Sequence, residues 1–397
     1  GGLHILGRLP KDEKLVDFGL QPVSNRFTLP DSQDAVPSFP LQLRVNTETG
    51  LVHLGQPFPL GEVKPRYDWL TCYEPEDHLD NLVEKLTELP NITKQSVFGA
   101  YSFKDDSTLC RLEQLGFINN WRIDPKLDLG ISDVCANVET YQSFLVVDKA
   151  KEICKRRGAV DVLIVRHVIE HAYDLYTFID AIRCMVKPGG YIVWELPDCE
   201  QAFTLGDCTT IWEEHIYYFT SFTFKQLLQH SGFSITHFES VPYALENSLI
   251  AIVQENQAGA SKKLADVKQV AKEITRAKDF VNKLFQRKIE LRNKLIKLKA
   301  ERGLICIFGA GHLSVAFLSL MELSDLIFCV IDDNPNKKEK HMPIGGLKIV
   351  GSEALQHGDI KVCLLGLNPQ NQSKVIDRHK NFVKEGGIFI SIFPEQD

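Results

Sequence analysis

Twice along this chain, short apolar runs of strand length alternate with amphipathic segments, and this double alternation constrains the fold more than any other feature. A strand buried on both faces reads as a continuous apolar run, so such text predicts a parallel sheet covered by helices. The first stretch runs from Gln95 to Gln254, with VFGAYSF, NNWRIDP, VDVLIVRHV and GGYIVWELP as first, second, fourth and fifth strands. Leu175 to Met185 reads as a helix closed by Lys187-Pro188-Gly189-Gly190, and FTFKQLLQHSGFSITHFES with SLIAIVQ reads as a helix and two closing strands. The second stretch begins after Gly303 with LICIFGAGH, LIFCVIDDNP, KVCLLGL and GGIFISIF. Between the two, residues 258–302 contain no Pro and carry apolar residues at helical spacing from Leu264 to Leu298. They predict one long amphipathic helix, or two with a kink, basic on the outer face and serving as a solvated connector or a docking face.

Ahead of both stretches, residues 1–90 are rich in Pro and turn residues, with strand-like pieces Leu41 to Val45 and Leu51 to Leu54 around the turn Asn46-Thr47-Glu48-Thr49-Gly50. Glu76 to Leu89 has helical apolar spacing and is stopped by Pro90. The expected organisation is therefore a β-rich cap with a lead-in helix over 1–90 and an α/β domain over 91–257. A long helix over 258–303 and a second Rossmann-like α/β domain over 304–397 complete it. A chain of 397 residues agrees with two large cores.

A formal net charge of −7 and a pI near 6.0 disfavour nucleic acid or an anionic membrane as the main partner. No apolar run reaches the ~18 residues of a membrane span and no basic-then-apolar leader opens the sequence, so a cytoplasmic protein is expected. None of the ten cysteines forms a CxxC pair, which points to reduced core fillers, not disulfides or a cysteine zinc site.

In a doubly wound sheet ligands sit beyond the carboxyl ends of the strands. In the first sheet these ends are Gly99 to Asp106, Asp124, Arg166 with His167, and Glu195 to Asp198. Asp124 is placed to accept bonds from both hydroxyls of a ribose, or is a turn residue before Pro125. His167 and His171 have a spacing that admits a metal, but the segment ends a strand and no third ligand is evident, so no metal is assigned. The densest polar and aromatic cluster is Trp212-Glu213-Glu214-His215-Ile216-Tyr217-Tyr218-Phe219. Carboxylates beside His215 would raise its pKa and orient it as a general base; a structural role for the cluster stays open. In the second sheet Gly309-Ala310-Gly311-His312 and Asp332-Asp333-Asn334-Pro335 suit a nucleotide, or tight packing, and the third glycine of the dinucleotide pattern is absent.

With these residues in view, nearly the whole chain resembles the S-adenosylmethionine-dependent sugar C-methyltransferases. The resemblance is carried by LVDFGLQPVSNRF and PLQLRVNTETGLVHL in the cap, HVIEHAYDLYTFIDAIRCMVKPGG and IWEEHIYYFTSFTFKQLLQHSGF in the middle, and FGAGH with VIDDNPNKK at the end. It implies a zinc-binding cap, a class I methyltransferase domain and a C-terminal Rossmann-like domain. It also implies a nucleotide-linked 4-keto-6-deoxy sugar as substrate, deprotonated beside its ketone before the enolate carbon attacks the sulfonium methyl. On that resemblance His215 is the base, helped by Glu214, with Tyr73 or Tyr217 near the keto oxygen. Gly99, Asp106, Asp124, Arg166 and His167 would face the cofactor, and Gly309, Gly311, His312, Asp332 and Asn334 the sugar nucleotide. A homo-oligomer is compatible with it.

The chain departs from the family pattern at three places. The family's second cap cysteine pair falls on Asn46 and Thr49 and residues 1–10 hold no cysteine, so zinc is expected to be absent. The glycine-rich loop is GAYSFKDDSTL, with bulkier residues toward the methionine end of the cofactor site, and the usual Tyr is Trp212. Two other readings follow: a degenerate methyltransferase fold that binds a sugar nucleotide or protein partner without transfer, and a nicotinamide-binding C-terminal domain.

Overall fold

The computed structural model describes residues 11–70, 73–256 and 266–396. Three sheets organise it. The central sheet holds β4 (Phe98–Ala100), β5 (Asn120–Arg122), β6 (Val160–Arg166), β7 (Val186–Pro197), β9 (Phe233–Val241) and β10 (Ser248–Glu255), in the order β5-β4-β6-β7-β10-β9. β4 to β7 are parallel and β10 runs antiparallel between β7 and β9, so the sheet ends in a reversed hairpin. Helices α1 (Leu79–Thr87), α2 (Asp106–Gln114), α3 (Val147–Arg157), α4 (Leu175–Cys184) and α5 (Ser221–His230) accompany it. Separate apolar clusters form on its two faces, one around Leu163, Phe178, Trp194 and Phe224 and the other around Leu82, Phe98, Val193 and Ile252. The VDVLIVR run is apolar on consecutive residues because both its faces are covered.

The C-terminal sheet is wholly parallel, in the order β13-β12-β11-β14-β15, from β11 (Leu304–Phe308), β12 (Cys329–Ile331), β13 (Ile349–Val350), β14 (Ile360–Leu365) and β15 (Ile388–Ser391). Helices α7 (His312–Leu320) and α8 (Pro369–Arg378) follow β11 and β14. In front stands a four-stranded antiparallel sheet of β1 (Asp12–Pro22), β2 (Ser38–Asn46), β3 (Val52–Leu54) and β8 (Tyr217–Tyr218). Its last strand comes from the aromatic cluster of the central domain, so the cap sheet is closed by residues far beyond position 90. Where the family pattern has cysteines, Asn46 Oδ1 accepts from the amides of Glu48 and Thr49 at 2.9 and 3.1 Å, and Thr49 Oγ1 accepts from that of Leu51 at 3.2 Å. Gly50 completes this turn at φ +76°, a left-handed conformation that favours glycine.

The basic segment is one uninterrupted helix, α6 (Val267–Glu301); the expected residues before 266, Leu264 among them, lie outside the described residues. It is not a solvated connector: Ala277, Phe280, Val281, Leu284 and Leu295 enter one apolar cluster shared with Leu43 and Phe58 of the cap and Ile305 and Val330 of the C-terminal sheet. Each such Leu or Phe stabilises the packing by roughly 1.5–3 kcal/mol. The cap, α6 and the C-terminal domain are thereby held as one body against the carboxyl ends of the central strands.

Some segments differ from the sequence reading. VFGAYSF is strand only at 98–100, because Ser102 accepts from the Lys104 amide and opens a 3-10 turn over Phe103–Asp105. No strand lies between β5 and β6; that segment carries short helices and α3. The Lys187-Pro188-Gly189-Gly190 breaker lies inside the exposed start of β7, not in a loop.

Candidate active site

Where β4, β6 and the 212–214 turn meet the C-terminal domain, a cavity of about 410 Å³ opens. The cap contributes Ser24, Asn25 and Phe27 to its wall, the central domain Phe103, Lys104, Glu139, Arg166, Trp212 and Glu214, and the C-terminal domain Ala310, Gly311, His312 and Lys337. Glu74 and Glu76 add further carboxylates to the lining, and Lys337 adds an ammonium.

Beneath the cavity lies a buried charge network. Arg166 ends β6 and donates from Nε to Glu195 at 2.6 Å and from Nη1 to Asp105 at 3.1 Å, while Nη2 is buried without a partner. Glu195 also meets His78 at 2.9 Å, Ser248 at 2.6 Å and His167 Nε2 at 3.2 Å, and His167 Nδ1 is 3.6 Å from Glu74. Burial pushes the Asp105 carboxyl up to about 6, against the pull of Arg166. Burial opposes ionisation of Glu195 and Arg166 too, but each is outweighed by its partners: Glu195 is held well below its ordinary range and Arg166 stays charged. His167 is strained as well as buried, with φ at +56° and its amide bonded to the Glu195 carbonyl at 2.7 Å.

For His167 burial favours the neutral ring, yet the Glu74 and Glu195 carboxylates prevail and lift its pKa from 6.5 to about 9. A raised folded-state pKa contributes stability that is full below pH 6.5 and lost as pH rises through about 9. At about 1.4 kcal/mol per unit this is at most roughly 3 kcal/mol. Urea unfolding of wild type is expected to show this loss between pH 7 and 10, and His167→Gln to flatten it; an unchanged slope in the variant would rule out His167 as its source.

The 212–215 turn is arranged differently from the sequence expectation. Glu213 is turned away from His215, its carboxylate accepting from the amide and hydroxyl of Ser24, both at 2.6 Å. Glu214 lines the cavity and bonds Asn137; burial, then Glu139 and Glu213, hold its carboxyl well above its ordinary range. His215 is half-buried and lines a separate recess of about 40 Å³ with Asp207, Glu246 and His312. Its pKa is not raised by neighbouring carboxylates but lies well below 6.5, because of burial first and then His171, His312, His167 and Lys104. The wall between cavity and recess includes Trp212 and His312, whose rings stack at 4.2 Å, with the Trp212 indole donating to Ser24 Oγ at 3.0 Å. Burial lowers His312 to about 4.

The other anticipated residues divide into those at the cavity and those away from it. Tyr73 is at its mouth, 89% exposed, and Tyr217 sits in β8 opposite His53, outside the lining. Gly99 lies inside β4, where a Cβ would stand 2.8 Å from Val160. Asp106 pairs with Arg122 at 2.6 Å. Asp124 caps the one-turn helix Pro125–Leu129, Oδ1 accepting from the amides of Lys126 and Leu127, both at 2.9 Å; among the described residues Oδ2 takes no bond. Gly309, at φ +115°, has the Gly366 carbonyl 2.4 Å from its Cβ position, so it serves close packing. Gly311 is open to the cavity and precedes α7 without a side-chain cap. Asp332 bonds the amides of Ala310 and Asn334, both at 2.9 Å, and Asn334 Oδ1 accepts from Asn336, so both hold their loop.

Sequence reasoning did not single out Lys104, Glu139, Asn137 or Lys337. Lys337 donates to the Ala310 carbonyl at 2.7 Å, and its signal was available in the NPNKK turn after the DDNP segment. The first-turn amides of α7, an uncapped nine-residue helix, together with Lys337 suit an anion, and the carboxylates of the lining suit a cation. A reactant carrying both charges, or one of each, fits such a cavity.

Two family models match successive parts of the chain. Residues 106–238 match the family described as methyltransferase domain, and residues 248–394 match the C-methyltransferase C-terminal domain. The chain is 22% identical over 283 residues to the C-methyltransferase NovU of Streptomyces niveus, the match covering 69% of this chain and 66% of that relative, just under two thirds. Among solved structures, magnesium protoporphyrin IX methyltransferase from Synechocystis, with bound S-adenosylmethionine, is 14% identical at a TM-score of 0.30, covering 48% of this chain and 89% of that one. An S-adenosylmethionine-dependent methyltransferase from Clostridium acetobutylicum is 9% identical at a TM-score of 0.30, covering 46% and 93%.

Proposed function

We propose that this chain, a divergent member of the C-methyltransferase family, methylates a carbon beside the ketone of a nucleotide-linked keto-deoxy sugar, with S-adenosylmethionine as donor. The observation that carries the proposal is the cavity itself. It opens at the strand ends where the central sheet would hold a cofactor, and its far wall belongs to the C-terminal domain.

The residues present fit the donor at two points. Asp124, which follows β5 outside the cavity lining, keeps Oδ2 free to accept from ribose hydroxyls, and the unpartnered Arg166 Nη2 lies in a side chain that lines the cavity, where a carboxylate would satisfy it. When bound, the donor supplies an electrophilic methyl on a sulfonium. Glu74 and Glu139 form a wall complementary to that positive charge. Lys337 and the open amides at the start of α7 receive the diphosphate of the sugar nucleotide.

Glu214 is the group we assign to remove the proton beside the ketone, because it faces the cavity while His215 faces the recess behind Trp212 and His312. Lys104, bonded to Glu139 and lining the same cavity, stands ready to offset the developing enolate charge. Trp212 closes the wall and excludes water from the reacting carbon.

A second reading, binding without transfer, is favoured by the Asp106–Arg122 pair and by Phe103 in place of a loop glycine. Incubation with methyl-labelled donor and a panel of nucleotide-linked 4-keto-6-deoxy sugars separates the two. Label on a sugar carbon by NMR is the expected result; a sugar nucleotide that binds but stays unlabelled would establish the second reading.

A further inference from the structure

We propose that Glu170, His171 and His215 form a binding site for one divalent transition-metal ion of the zinc type. Each offers a ligand atom, and these atoms all lie within 4.8 Å of one another. Tetrahedral zinc at 2.0–2.1 Å holds nitrogen and oxygen ligands about 3.4 Å apart, so side-chain rotations closing each gap by about 1.4 Å or less complete the set. Two histidines and one carboxylate are the three-ligand set of zinc sites that keep a fourth position open.

The site has unsatisfied donors in it already. Glu170 and His171 are both more than nine-tenths buried, and Glu170 Oε1 and His171 Nδ1 have no hydrogen-bond partner. Burying polar atoms unpaired costs on the order of 1–3 kcal/mol each, a cost that coordination would remove. The Glu214 backbone lies beside the His171 ring, whose Nδ1 is left without a partner. His215 adds the space for a fourth ligand: its recess of about 40 Å³ is large enough for one water and is lined by Asp207 and Glu246 among others.

The local chain geometry supports a fixed site. Glu170 and His171 lie in the 3-10 turn Ile169–His171 after β6, and the Glu170 carbonyl accepts from the Ile216 amide at 2.7 Å. An ion here would pin the 212–216 turn to the end of β6 and so hold Glu214 and Trp212 against the cavity. This inference does not depend on the methyl-transfer reading, since binding is measured without donor or sugar.

The full chain, stripped with chelator and checked for folding by circular dichroism, would be loaded with zinc and separately with cobalt(II), and bound metal counted after gel filtration. One equivalent of zinc, a tetrahedral cobalt spectrum without sulfur charge-transfer bands, and a higher melting temperature with zinc are expected. Glu170→Gln, which keeps the side-chain shape, and His171→Ala should each weaken binding by more than the about 10- to 100-fold typical of losing an outer-shell partner. Folded wild type that retains no zinc at micromolar concentration, retention unchanged in both variants, or a cobalt–thiolate spectrum assigning the ion to cysteines would each overturn the proposal.

Discussion

Glu214→Gln is expected to lower kcat for methyl transfer by about 10²- to 10⁴-fold while leaving affinity for S-adenosylmethionine unchanged. Glutamine preserves the shape of the side chain and a bond to Asn137, but it cannot accept the proton released beside the ketone. The size of the loss follows from the carboxylate being the turn's only cavity-lining member besides Trp212. Glu213 is committed to Ser24, and His215 is directed into the recess. Single-turnover rates with saturating donor and sugar nucleotide measure the effect. A Gln variant within a few-fold of wild type would remove Glu214 from the chemistry.

The largest expected effect on stability belongs to Arg166. Its side chain is buried between Glu195 and Asp105, which it holds at 2.6 and 3.1 Å. Arg166→Leu would leave these buried acids without their guanidinium, and removing one partner of a buried ion pair typically costs 3–5 kcal/mol. His78 and His167 would still meet Glu195, whereas Asp105 would lose its one ion-pair partner among the described residues. Arg166→Lys keeps the charge but not the two-pronged geometry, and should fall between wild type and Leu. Urea unfolding monitored by tryptophan fluorescence gives the ordering. A Leu variant within about 1 kcal/mol of wild type would mean that the network relaxes or neutralises at little cost.

The legibility of the chain in its sequence followed local pattern. VDVLIVR and KVCLLGL are apolar on consecutive residues and became β6 and β14, since burial on both faces leaves no other pattern. β1 went unread because its alternation is broken by register shifts between Lys14 and Val16 and between Asp17 and Leu20. β8 is two residues long and takes its strand character from pairing with β3, not from its own sequence.

At the site, residue types were legible and directions were not. The EEH cluster was visible as a functional segment, but the orientation of Glu213 is fixed by Ser24, 189 positions earlier. Asp332 looked like a ribose ligand, yet the Ala310 amide it holds lies 22 positions away in the facing loop. The third member of the Glu170–His171–His215 group is likewise supplied by a distant turn, while the spacing of His167 and His171 drew attention to a different pair. Contacts of this kind depend on how the sheets pack, which no local window of sequence encodes.

The most direct test of the account is calorimetric titration of the purified protein with S-adenosylmethionine and S-adenosylhomocysteine, with NAD as control. Micromolar binding of both sulfur compounds and none of NAD is predicted. It should be weakened in Asp124→Asn, which retains a capping side chain, and lost in Asp124→Ala, which removes cap and ribose acceptor together. A folded wild-type protein that binds neither sulfur compound would contradict the account and leave a repurposed methyltransferase fold in its place.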